Sequence, residues 1–286
     1  MMQRERVTED IYIFTSELYV HVTAGVIATS EGLVLIDTLL YPEETLQIRN
    51  FIETRLNQPV AYIINTHHHA DHTTGTSFFH DAPVISHLKC RELLNTRGRE
   101  SLQRSKEKAS DMADVKLVLP TIVFDNKMTL RIGGKTLHLE HSPGHSPDSI
   151  VVWIEEENVL FAADTVMPIP YFVDGSYDDF LASLKRLQGR GFENIVQGHG
   201  EIILRGEVEK KIKSDINYLE KLRIAVDKAL VSSTTPAKID KALASIKVGA
   251  CGKSHILLNG AVEQLHYQNI LALAEQRHEM ILLQTE

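Results

Sequence analysis

Six consecutive residues, His67-His68-His69-Ala70-Asp71-His72, bring four imidazoles and one carboxylate into a single short stretch. They follow Val60–Asn65, an apolar run without alternation that reads as a buried strand. In extended backbone, residues two apart project to the same side, so His67 and His69 aim at one point while His68 faces elsewhere. If the chain turns into helix at Ala70–Asp71, Asp71 and His72 aim at a neighbouring point. Imidazole and carboxylate together suit Zn²⁺, with Mn²⁺ or Fe²⁺ as further candidates. Three more groups stand where short strands are expected to end. His145 lies in Ser142-Pro143-Gly144-His145-Ser146-Pro147, Asp164 follows Phe161-Ala162-Ala163, and His199 sits between Gly198 and Gly200. Any one alone reads as an ordinary loop residue. Several at strand-to-loop junctions in one chain read as a metal site of nitrogen and oxygen. Neither Cys90 nor Cys251 lies near a motif. That points to hydrolytic rather than structural zinc, and the two thiols are expected to be core residues.

Such ligands need a rigid frame. Ile11–Phe14, Val20–Ala28, Leu33–Ile36, Val60–Asn65, Ile122–Phe124, Thr129–Ile132, Lys135–Leu139, Ser149–Ile154, Val159–Ala162 and Asn194–Val196 read as strands. Ser30-Glu31-Gly32 and Gly133-Gly134 read as hairpin turns. Apolar spacing predicts helices over Pro42–Leu56, Lys89–Asp114, Asp178–Leu187, Glu207–Val231 and Ala261–Arg277, with another starting at Pro236. Strands thin out after Val196. The expected division is a mixed αβ domain over 1–205 and an α-helical C-terminal extension over 206–286, packed on it.

Composition narrows the function classes. The chain has 286 residues, 43% of them hydrophobic, enough for a sizeable core. Its 14 histidines are about twice ordinary usage. The net charge of -8 argues against a nucleic-acid binder. No apolar run reaches the ~18 residues of a membrane span. Two cysteines and a polar start without an apolar leader are the basis for expecting a cytoplasmic protein. The expected partner is a small-molecule substrate, with a homodimer contact through the C-terminal helices as a further expectation.

The order Asp37, His67-x-His69-x-Asp71-His72, His145, Asp164, His199 resembles the metallo-β-lactamase superfamily over roughly residues 10–205. The resemblance implies an α+β fold, a four-layer αββα sandwich with a site at one edge of its two sheets, here followed by a helical appendage. It implies two Zn²⁺ per chain, with His67, His69 and His145 on the first. Asp71, His72 and His199 would take the second, and Asp164 would bridge both. Asp37 would orient the site without ligating. Two cations acidify a shared water, and the resulting hydroxide attacks an ester, lactone, thioester or related electrophile, with Asp71 able to accept a proton. Asp164 stands where lactamase-active branches usually carry Cys or Ser. It favours the glyoxalase-II-like, lactonase-like and phosphodiesterase-like branches. Two alternatives share the pattern: a persulfide dioxygenase with one iron, and a hydrolytic dehalogenase of an activated aromatic. Tyr171 and His255 are the candidate substrate contacts, with Lys253, Ser254 and His266 also able to reach the pocket from the appendage. The basic stretch Lys89–Lys108 either leans over an anionic substrate or is a solvated helix face.

Overall fold

Strands that are apolar on both faces must lie between two other layers, and the chain satisfies that requirement twice. In a computed structural model, which describes residues 2–79, 81–232, 235–254, 256, 258 and 260–283, thirteen strands form two mixed sheets. The first runs β1 (Gln3–Arg6), β2 (Ile11–Thr15), β3 (Thr23–Thr29), β4 (Gly32–Ile36), β5 (Val60–Ile64), β6 (Val84–His87), β7 (Ile122–Phe124), neighbours in that order. Its first four strands are antiparallel and β4 to β7 are parallel. The second sheet has the order β13 (Ile203–Leu204), β12 (Asn194–Gln197), β11 (Val159–Ala163), β10 (Ile150–Ile154), β9 (Lys135–His141), β8 (Lys127–Ile132). Only β11 and β12 pair in parallel there.

Side-chain alternation divides the core into three layers. Val34, Ile36, Ile64 and Ile85 of the first sheet meet Leu137, Ile150, Val152 and Phe161 of the second. The opposite face of the first sheet, with Leu33, Leu35 and Ile63, packs on Ile48, Phe51 and Ile52 of and just beyond helix α1 (Pro42–Phe51). Leu160 and Ala162 turn from the second sheet toward helices α5 (Tyr177–Leu187) and α6 (Val208–Ser232). The result is an α+β sandwich flanked by helices, with a C-terminal helical extension. That extension comprises α6, α7 (Pro236–Ala244) and α8 (Val262–Leu283).

Three short strands carry little sequence signal. β1 (Gln-Arg-Glu-Arg) is fully exposed, and charged residues are what keep an edge strand from pairing further. β6 and β13 are only four and two residues long. The run expected from Val20 begins as a strand only at Thr23, because Val20 and His21 adopt left-handed backbone (φ 41° and 55°). The long helix expected over Lys89–Asp114 is α3 (Leu88–Leu93), a π turn at Leu94–Gly98, α4 (Arg99–Lys108) and a separate 3₁₀ turn at Ser110–Met112. A one-turn helix, α2 (Ala70–Thr73), follows β5.

Parallel strands present their carboxyl ends at one edge, and that is where a crevice opens in αβ sheets. Here the ends of β4, β5, β11 and β12 deliver Asp37, His67, Asp164 and His199. Cross-sheet bonds close the same edge: Ile150 N–H donates to Thr66 O (2.9 Å) and Thr23 N–H to Gly198 O (2.9 Å).

Candidate metal centre

Past β5 the chain stays extended through His69 (φ -63°, ψ 145°) and then turns into α2. The turn is pinned from β4: Thr38 N–H and Thr38 Oγ1 both donate to His72 O (2.9 and 3.1 Å). His67 and His69 therefore point inward before the turn, and Asp71 and His72 after it. A register shift between Phe161 and Ala163 interrupts the β11–β12 pairing, and Ala163 takes left-handed backbone (φ 44°). Bulges of this kind re-aim the side chain that follows, which here is Asp164. Gly198 makes room for it: a Cβ at that position would lie 1.8 Å from Asp164 Oδ1.

The ligand atoms fall into two groups that share Asp164. His69 Nδ1 lies 3.0 Å from both His67 Nε2 and His145 Nε2, and His145 Nε2 lies 3.2 Å from Asp164 Oδ2. On the other side His199 Nε2 is 3.3 Å from Asp71 Oδ2 and 3.5 Å from Asp164 Oδ2. His72 Nε2 is 3.3 Å from Asp164 Oδ1 and 3.7 Å from Asp71 Oδ2. Within each of the sets His67, His69, His145, Asp164 and Asp71, His72, His199, every ligand atom lies within 4.8 Å of the others. His72 Nε2 and Asp164 Oδ1 are buried and make no hydrogen bond. Buried polar atoms are rarely left so, and an imidazole lone pair beside a carboxylate oxygen is a donor set for a cation. The residues present thus fit one or two metal ions.

Each imidazole is oriented by its outer nitrogen. His145 Nδ1–H donates to Tyr171 O (2.7 Å), His199 Nδ1–H to Val20 O (3.0 Å) and His72 Nδ1–H to Asp37 Oδ2 (2.8 Å). Thr66 Oγ1–H donates to Asp37 Oδ2 (2.7 Å), so its oxygen accepts from His67 Nδ1–H (3.1 Å). His69 is turned the other way, with Nε2–H on Asp174 Oδ2 (3.2 Å) and Nδ1 inward. These bonds turn one nitrogen of each imidazole inward, where it can take a metal ion or a proton.

At His69 burial opposes charge, yet the hydrogen bond to Asp174 and the charges of Asp71 and Asp164 raise its pKa. Burial holds His67 and His145 on the neutral side, His145 down to about 4, helped by neighbouring imidazoles. Burial also opposes charge on His72 and His199. The carboxylates around them prevail, raising His72 well above its usual value and His199 to about 10. Burial pushes Asp71 up, yet His72 and His199 pull it below the usual carboxylate range. The second group is thus a place that attracts positive charge.

Other residues brace the site and were not evident in the sequence. Asp148 accepts from His68 N–H (2.8 Å) and His68 Nδ1–H (2.9 Å), holding His68 away from the cluster. Asp174 joins His69 to Arg97, whose Nη1 donates to Oδ1 (2.8 Å). His68, His69 and Asp174 also converge, but Arg97 and Asp148 already occupy their remaining positions, so the trio reads as a brace. Tyr19 has its hydroxyl pKa pushed up to about 12 by burial and by the charges of Asp71 and, more weakly, Asp164. The loop that carries Tyr171 and Asp174 is held from α8. Asn269 Nδ2–H donates to Pro170 O (2.7 Å), Asn269 Oδ1 accepts from Phe172 N–H (3.3 Å), and Gln276 Nε2–H donates to Gly175 O (3.2 Å).

Tyr171 stands beside His145, but its hydroxyl donates to Gln268 Oε1 (2.9 Å), and its nearest link to the cluster is its backbone carbonyl. Lys253 and His266 are turned into the helical extension, onto Asp215 and onto Tyr218 and Ile246 O. Ser254 is exposed, and His255 lies outside the described residues. Cys90 and Cys251 are buried free thiols.

Comparison with known proteins gives a consistent result. The family model described as metallo-beta-lactamase superfamily matches residues 19–199. A beta-lactamase-like protein 2 homolog of Caenorhabditis elegans is 25% identical over 174 residues, 61% of this chain and 53% of that protein. The chain thus spans about half the length of that relative. The acyl-coenzyme A thioesterase MBLAC2 of Homo sapiens is 26% identical over 216 residues, covering 70% of this chain and 76% of the relative. Among solved structures, the inverting sec-alkylsulfatase Pisa1 from Pseudomonas sp. superposes with a TM-score of 0.74 at 17% identity, over 96% of this chain and 50% of that one. The last likeness is one of fold alone.

Proposed function

The chain belongs to the metallo-β-lactamase superfamily, and from that premise we propose that it is a metal-dependent hydrolase of small esters or thioesters. The observation that carries this reading is the pair of ligand groups meeting at Asp164, with His72 Nε2 and Asp164 Oδ1 buried and unbonded at their junction. The similarity to an acyl-coenzyme A thioesterase supports the substrate class. In this reading His67, His69 and His145 hold one Zn²⁺, Asp71, His72 and His199 hold a second, and Asp164 serves both. Bound there, the cations supply Lewis acidity that makes water a nucleophile near neutral pH and offsets charge developing on a substrate oxygen.

The protein's own groups do the rest. Asp71, drawn below the usual carboxylate range, is ionised at neutral pH, and in this reading it accepts the proton of the attacking water. The outer hydrogen bonds to Asp37, Thr66, Tyr171 O, Val20 O and Asp174 fix five imidazoles in position, so no reorganisation is needed during reaction. The test is a hydrolysis panel of thioesters, carboxylic esters and lactones on the zinc-loaded chain, beside Asp71→Ala and His145→Ala. Cleavage of a thioester or ester, lost in both folded variants, is expected. A wild-type rate in either variant would end the proposal.

A further inference from the structure

A cleft of about 230 Å³ opens beside His69, between the helical run that includes α4 and the segment 112–118. His69 is the most exposed of the clustered imidazoles, with 26% of its side chain accessible, against 0% for His67 and 3% for His145. The cleft meets the proposed centre at His69, the one proposed ligand among its lining residues. Its lining includes Leu94 and Leu102 from the helical run and Leu117 and Val118 from the later segment. α4 buries no residue at all. Its one apolar side chain, Leu102, is left on the cleft rather than in the core. A polar helix held with its apolar position over a void is placed to cover a ligand.

Charge on the rim is one-sided. Arg97, Arg104 and Lys116 line the cleft against one acid, Asp174. Asp174 is already engaged by Arg97 and His69. Arg104 meets Glu100 at 3.8 Å across one turn, both well exposed, a pairing readily exchanged for a bound anion. Seven residues separate Arg97, joined to His69 through Asp174, from Arg104, which puts the two about 10 Å apart along the helical run. Leu94, Arg97 and Gly98, three and four residues apart, line the cleft from the turn that precedes α4.

We propose that this cleft is the substrate site, and that it selects an ester or thioester with an apolar body ending in an anionic group. The reacting carbonyl lies by His69, the apolar body runs between Leu102 and Leu117, and the anion, a carboxylate, sulfate or phosphate, rests between Arg104 and Lys116. The assignment rests on the hydrolase reading but is tested without turnover. Decane-1-sulfonate, whose single anion is a poor zinc ligand, and decan-1-ol are titrated calorimetrically into the zinc-loaded full chain, into Arg104→Ala/Lys116→Ala and into Leu117→Asp. The sulfonate is expected to bind tighter than the alcohol by about tenfold or more, the size of one charge-assisted hydrogen bond. The double variant removes that preference, and Leu117→Asp weakens both ligands at unchanged zinc content. Equal affinities for sulfonate and alcohol, or a preference that survives the double variant, overturn the assignment. A chain that shows the preference yet cleaves no ester contradicts the hydrolase proposal and leaves the cleft assignment standing.

Discussion

Replacing Asp37 by Asn is predicted to disable two ligands at once while adding no bulk. Asp37 is buried, and its carboxylate accepts three hydrogen bonds: Thr66 N–H on Oδ1 (2.8 Å), with Thr66 Oγ1–H (2.7 Å) and His72 Nδ1–H (2.8 Å) on Oδ2. In Asp37→Asn the backbone N–H of Thr66 still needs an acceptor, so the amide oxygen stays on that side. The amide NH₂ then faces His72 Nδ1 and Thr66 Oγ1. His72 can pair with it only by accepting at Nδ1, which moves its proton to Nε2, the atom that points into the cluster. Thr66, now accepting from the amide, is free to donate to His67 Nδ1, 3.1 Å away, and shifts that proton to Nε2 as well. Each protonated Nε2 must be emptied before it can bind a cation. Partners of this kind cost about 10–100-fold in metal affinity, or about 1.4–2.8 kcal/mol. Competition against a chromophoric chelator at pH 7, with circular dichroism to check folding, reads the loss. Thr66→Val removes only the His67 branch and is expected to fall between wild type and Asp37→Asn. Wild-type zinc affinity in a folded Asp37→Asn protein would refute the relay.

Three other outcomes follow from the packing and charge. Gly198→Ala would place a methyl within 1.8 Å of Asp164 Oδ1, so metal content and hydrolysis are expected to fall together while far-UV dichroism is retained. Asn269→Ala strips the bonds that α8 makes to Pro170 O and Phe172 N–H. A loss of about 1–3 kcal/mol, or about 2–4 °C in Tm for each of these, is expected, together with weaker metal binding through the freed Tyr171 carbonyl under His145. Lys211, with 14% of its side chain accessible, lies among Asp215, Lys253 and the Met167 carbonyl, and burial lowers its pKa to about 8 from 10.5. Between those values the unfolded chain holds the extra proton, so stability should rise with pH across that window, by up to about 3 kcal/mol. Lys211→Met should flatten the rise, as read from denaturant titrations at pH 7 to 10.

How much of this was legible in the sequence depended on whether the cause was local. His67, His69, Asp71 and His72 declare themselves because strand alternation followed by one helical turn is enough to aim them. His145, Asp164 and His199 were readable as strand-end residues because β9, β11 and β12 are strongly apolar or closely bounded by glycine. The groups that hold these side chains still were not readable. Asp174 reaches His69 across 105 residues and Arg97 across 77, and nothing near any of them marks the partnership. Tyr171 O and Val20 O act through the backbone, which leaves no trace in residue type. Gly198 did carry a signal. It reads as turn flexibility, whereas its role is the absence of a side chain against Asp164. The fold followed the same rule: strands apolar on both faces were evident, while the charged edge strand β1 has only its pairing with β2 to define it.

The central claim is that one cluster holds two metals and that hydrolysis depends on them. The most direct test is metal content per chain, measured by elemental analysis on the purified protein as isolated, after chelator stripping and after zinc is restored, with ester and thioester hydrolysis followed on the same samples. The account predicts two metal ions per chain, activity lost on stripping and regained in proportion to zinc as the second equivalent is bound. Full activity in stripped protein, or a single iron per chain with oxygen consumed on a persulfide, would contradict it.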